Sequence, residues 1–133
     1  MKKSGLVVLF FLVSLLSCRY DHADDPKLFP PKCDSLHPSY TNCVQPLLQA
    51  RCYSCHSDVV SAYGSNGFDM QNFTSLKNYL QTMHYRGDSI YGSKFEAVIE
   101  QRILVIPMPP TGKLPQGDIN IMERWIDAGA PAN

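Results

Sequence analysis

The chain has 133 residues, with 12 basic and 12 acidic side chains and an ordinary share of apolar residues, which points to one small domain. Balanced charge lacks the basic excess of a nucleic-acid-binding protein, and no glycine-rich loop of the Walker or dinucleotide type is present. Ten prolines and eight glycines favour short helices joined by loops over long regular elements.

The chain opens on a leader. Lys2 and Lys3 precede an apolar run from Leu6 to Leu16, broken only by Ser14. That run is far shorter than the roughly 20 residues needed to span a bilayer. It ends in Leu15-Leu16-Ser17-Cys18, which resembles a bacterial lipobox. Cleavage then falls before Cys18, the new terminal cysteine carries lipid, and residues 1–17 are a removed signal peptide. The competing reading is a plain secretory signal with an incidental cysteine. Residues 18–36, with Asp21, Asp24, Asp25, Pro26, Pro30 and Pro31, read as a tether. Residues 37–133 are left for the domain. The expected location is the cell envelope, lipid-anchored to a bacterial membrane, with the domain in the periplasm or at the cell surface.

The first helix is expected over 44–53, with Pro46 in its opening turn and Val44, Leu47, Leu48 and Arg51 on one face. A glycine-bearing loop is expected over 57–72. A short helix follows over 73–81, packing Phe73, Leu76 and Leu80. Gly87-Asp88 marks a turn. A third helix is predicted over 94–104, with Ser93 and Glu96 as a capping box and Phe95, Val98, Ile99 and Ile103 as its apolar stripe. The last helix is expected over 116–128, with Ile119, Met122, Trp125 and Ile126 on one face and Gly129 as terminator. No convincing strand appears, so the fold class is all-α, and the expected state is a monomer.

Five cysteines occur, at 18, 33, 43, 52 and 55. An exported chain sits in an oxidising compartment, so each needs a use. With Cys18 lipidated and Cys52 and Cys55 in a motif, Cys33 and Cys43 are left as a natural disulfide pair. The alternative leaves one or both unpaired.

Cys52-Tyr53-Ser54-Cys55-His56 is a Cys-x-x-Cys-His run, the attachment signal for c-type haem. Two thiols add across the two haem vinyl groups, and the adjacent histidine becomes the proximal iron ligand. A tetrahedral zinc site would need four ligands, and only one Cys-x-x-Cys pair exists. A thioredoxin-like dithiol would sit beside a strand–helix–strand pattern, which is not seen.

The second axial ligand is expected to be Met108. It lies in Ile106-Pro107-Met108-Pro109-Pro110, where the prolines stiffen the loop, and a thioether opposite histidine raises the reduction potential. Met122 reads as core, and Met70 and Met83 as haem-pocket or core residues. His84 is the rival ligand, and an open sixth position is the other alternative. Arg102 and Lys113 are candidate partners for the haem propionates.

From these residues the chain resembles the class I c-type cytochromes over about residues 37–133. It is closest to the planctomycete-type cytochrome c domains of bacterial lipoproteins. Gly67-Phe68-Asp69-Met70, Gly87-Asp88 followed by Ser93, Met108-Pro109-Pro110 and Trp125-Ile126-Asp127-Ala128-Gly129-Ala130 carry that likeness. The resemblance implies a small helical domain around one covalent haem, whose first and last helices cross and bring Leu47 and Leu48 near Trp125. Two departures stand out. Class I domains often place a proline after the haem motif, whose carbonyl accepts from the ligand histidine, but residues 57–106 contain none. A backbone carbonyl near Asn66 or Gly67 is expected instead. The last helix is preceded by Leu114-Pro115, without a side-chain cap.

The functional expectation is a single-haem electron carrier, not an enzyme, that docks with redox protein partners. The alternative is an open-site haem protein that acts on or senses peroxide or a diatomic gas.

Overall fold

The computed structural model describes residues 33–61, 68–102 and 105–133. Cys18, the expected leader and most of the expected tether therefore lie outside the described residues, as do Asn66, Gly67 and Ile103. The described part is helical, without strands. Among the described residues no helix is long and apolar enough to cross a membrane.

Helical structure begins at Tyr40, four residues before the expected start. Ser39 is extended, and its hydroxyl accepts from Asn42 N at 3.3 Å. A wide π-type turn over Tyr40–Val44 then leads into α1, Gln45–Arg51. Pro46 has no N–H to continue an ordinary ladder, and the wide turn lies just before it. The early start is possible because Asn133 closes over it. Tyr40 N donates to Asn133 Oδ1 at 3.0 Å and Thr41 N to Asn133 O at 2.9 Å. These two N–H groups are among those a helix start leaves open, and their partner is 93 and 92 residues away in sequence.

A single-turn helix, α2 at Asp58–Ser61, interrupts the expected 57–72 loop. Helix α3 spans Phe73–Thr82, capped by the Asn72 side chain, which accepts from Ser75 N at 3.1 Å. It buries Leu76 and Leu80, and Phe73 meets Tyr40 edge-on at 4.7 Å. Met83 would continue that face, but the chain leaves the helix there, so Met83 is 44% exposed rather than in a pocket or core.

Helix α4 runs Ser93–Ile99 and differs from expectation at both ends. Gly92, not Ser93, precedes the first turn, and no side chain caps it. The Ser93 hydroxyl instead donates to Asp88 Oδ1 at 2.7 Å and accepts from Tyr85 N at 2.9 Å, holding the preceding loop. The helix stops five residues early. Arg102 N donates to Ala97 O and Gln101 N to Val98 O, with Gln101 left-handed at φ 58°. This is a Schellman stop built on glutamine instead of glycine, so no glycine announces it in the sequence.

Helix α5, Gln116–Asp127, buries Ile119, Ile121, Met122, Trp125 and Ile126. It ends in the same motif, with Ala130 N on Trp125 O, Gly129 N on Ile126 O and Gly129 at φ 85°. Lys77 reaches across from α3 to the carbonyls of Gly129 and Ala130, at 3.1 Å each. Pro115 provides no side-chain cap, yet the helix still begins at Gln116.

One apolar core joins the opening turn with α1, α3, α4 and α5. Leu47, Leu48 and Trp125 all belong to it. Trp125 faces the opening turn through Tyr40, with ring centroids 5.7 Å apart. Residues 33–36, placed by sequence at the end of the tether, are fastened to this body. A Cys33–Cys43 disulfide holds one point, and Arg124 Nη1 donates to Ser35 O at 2.7 Å.

Candidate functional site

The Cys-x-x-Cys-His segment is a helical turn at the end of α1. Cys52 N still donates to Leu48 O at 2.8 Å, and the chain then winds once more. Cys55 N and His56 N both donate to Cys52 O, at 3.1 and 2.9 Å. Leu47 and Leu48 are fully buried and hold α1 in the core, so the turn stands on a rigid support. One turn thus carries both sulfurs and the imidazole.

The two thiols differ. Cys52 is half-buried against the core, and Cys55 is exposed. Among the described residues these are the free cysteines. Burial pushes the Cys52 thiol up to about 12, only partly offset by the Arg51 charge. A dithiol built for exchange chemistry has a reactive thiol with a depressed value, the reverse of Cys52.

His56 is oriented by the backbone. Its Nδ1 lies 3.3 Å from the Phe68 carbonyl. Since a carbonyl only accepts, this pairing selects the tautomer with the proton on Nδ1 and a lone pair on Nε2. A metal-binding histidine ordinarily has this arrangement. The acceptor sits one residue beyond the expected Asn66 or Gly67. Reading the sequence could not single it out, because a main-chain carbonyl leaves no side-chain signature. The segment is tied to the turn a second time, by Met70 N donating to His56 O at 2.9 Å.

Met108 is half-buried, and its N–H donates to Val98 O at 3.1 Å. At the early end of α4 the Val98 carbonyl accepts from both Gln101 N and Met108 N, so the Schellman stop and the Met108 loop are one device. The bond from Met108 to Pro109 is cis, and Gln101 Nε2 donates to Pro109 O at 3.4 Å. The structure ties Met108 to α4 and His56 to Phe68, with no hydrogen bond between the two. Met70 is 7% exposed in the core and Met122 is fully buried. His84 turns to its own loop, with Nδ1 3.2 Å from Ile90 O. His37 pairs with Asp34 at the surface.

Arg102 forms an ion pair with Glu100 and lies over the Tyr85 ring, 5.8 Å from its centroid. Among the described residues, no three His, Cys, Asp or Glu side chains converge as a metal cluster. An open groove along α3, lined by Asp69, Asn72, Phe73 and Lys77, contains none of the predicted site residues.

The donor set fits a covalently held haem: two free thiols on one turn, and a histidine with Nε2 left open. No protein-family model, curated protein or solved structure matches this chain.

Proposed function

We propose that the protein is a lipid-anchored, single-haem c-type cytochrome of the bacterial cell envelope that passes single electrons between redox proteins. Cys52 and Cys55 would hold the porphyrin as thioethers, and His56 Nε2 and the Met108 sulfur would ligate its iron. Cys18 carries the lipid. Haem, when bound, supplies an iron that cycles between ferric and ferrous states. The chain's own residues do the rest. The turn at 52–56 fixes three attachment points, the Phe68 carbonyl orients the imidazole, and the proline-flanked loop holds the thioether.

The observation that carries this reading is the helical turn 52–56, with free thiols at Cys52 and Cys55 and His56 Nδ1 facing a main-chain carbonyl. A tetrahedral zinc site needs a fourth ligand and an exchange site a depressed thiol, and neither accompanies this turn among the described residues. The test is a pyridine haemochrome spectrum of the full chain, exported with c-haem maturation machinery and stripped of loose haem by acid-acetone. Retained haem with a thioether-type α band, at one per chain, is expected. A folded protein with no retained haem overturns the proposal.

A further inference from the structure

Phe68 meets His56 twice. Its carbonyl faces Nδ1 at 3.3 Å, and its ring lies 5.5 Å from the imidazole, tilted by 59°. The same Phe68 ring stacks on Tyr79, with centroids 4.1 Å apart and planes 17° from parallel. Tyr79 projects from α3, whose Leu76 and Leu80 are fully buried, so one side of the stack is anchored to the core. Phe68 itself has no regular backbone structure. The segment after it is joined to the turn by Met70 N on His56 O, and to the start of α2 by Asp58 N on Gln71 Oε1 at 3.2 Å. At 3.3 Å the imidazole–carbonyl contact is at the long end for such a bond, so small shifts of Phe68 change it strongly.

We propose that Tyr79 is a positioning residue for His56. By stacking on Phe68 it sets the carbonyl that keeps the imidazole proton on Nδ1 and leaves the Nε2 lone pair free. The consequence at iron rests on the haem reading; the geometric claim concerns only this chain's residues. Burial raises the Tyr79 phenol above its usual value, so it stays neutral and acts as a flat ring. Phenylalanine can therefore replace it, and leucine cannot.

The test uses the full chain labelled with nitrogen-15 at histidine, as wild type, Tyr79→Phe and Tyr79→Leu. Haem content is read on every sample by pyridine haemochrome, which judges the haem proposal separately. In haem-free protein, the two His56 ring nitrogens are expected to resonate far apart, as for one fixed tautomer. Tyr79→Leu draws them together, and Tyr79→Phe restores the separation. In haem-loaded protein, Tyr79→Leu raises the reduction potential, because a histidine with a weaker hydrogen bond donates less charge to ferric iron, and Tyr79→Phe keeps it. If Tyr79→Leu does not fold, Phe68→Leu removes the same stack while keeping the carbonyl, and the same shifts are expected. A folded haem-free variant without the stack whose His56 nitrogen shifts match wild type overturns the proposal, as does a haem-loaded one with unchanged potential.

Discussion

Arg51 reaches from the last turn of α1 to Asp118 in the first turn of α5, with Nε 3.3 Å from Oδ2. The carboxylate is nearly enclosed and the guanidinium is not, at 8% and 33% side-chain exposure. Asp118 also lies at the positive end of the α5 dipole. Arg51 immediately precedes Cys52, so this bond pins the start of the candidate haem-binding turn to the terminal helix. Arg51→Met keeps the aliphatic stem and removes the charge. It should cost about 1.5 kcal/mol, the usual size for a hydrogen bond to a charged group, as read by urea denaturation. A loss that is no larger than that of Arg51→Lys would show the specific geometry to be unimportant.

Gly92 and Gly87 test two causes of glycine use. Both have positive φ, 75° and 76°. A side chain there costs about 1 kcal/mol in backbone strain alone. At Gly92 an added Cβ would also overlap Ile126 Cγ2, whereas at Gly87 nothing lies within 4 Å. Gly92→Ala should therefore lose about 2–4 kcal/mol, adding the overpacking penalty, and Gly87→Ala about 1 kcal/mol. Equal losses in chemical denaturation would remove the contact between the α4 start and α5 from the explanation.

Glu123 links stability to pH. Burial, then hydrogen bonding to Glu100 and repulsion from Glu100 and Glu96, raise its carboxyl from 4.5 to about 7, with Arg102 opposing. Between those values the folded protein holds a proton that the unfolded chain has released. Stability should fall as pH rises through that window. Glu123→Gln should flatten this part of the urea-stability profile and gain most at pH 8. The side chain is partly exposed, so the gain is under about 1 kcal/mol. An unchanged slope between pH 5 and 8 would mean the carboxyls titrate independently.

Met108→Ala tests the second axial position of the proposed haem. The thioethers and His56 are untouched, so one covalent haem per chain is expected to remain. Loss of the soft thioether should lower the reduction potential, and the reduced variant should bind carbon monoxide where wild type does not. Potential and ligand spectra matching wild type would sink the assignment of Met108. Carbon monoxide binding by wild type itself would favour the open-site alternative.

Much of the fold is legible locally. Helix α5 follows from Ile119, Met122, Trp125 and Ile126 on one face and Gly129 beyond the end, and α3 from Asn72 followed by Phe73, Leu76 and Leu80. Both lie within one residue of their expected bounds. The errors have a common origin. The helix start at Tyr40 depends on Asn133, and the stop of α4 depends on Gln101 accepting a left-handed conformation while Val98 O receives Met108 N. The sequence offers Ser93 as a cap, but its hydroxyl is used by Asp88 and Tyr85.

The same division holds at the site. Side-chain chemistry is written locally, so the sequence by itself determined which residues could react: two thiols and an imidazole at fixed spacing, and a methionine among prolines. Only the tertiary structure decided how they are held, with Cys52 half-buried and Cys55 exposed, and His56 facing the Phe68 carbonyl beneath the Tyr79 stack. Those features arise from burial and from main-chain groups brought together across the fold. Every residue carries the same carbonyl, so no local pattern could mark the one that His56 would find.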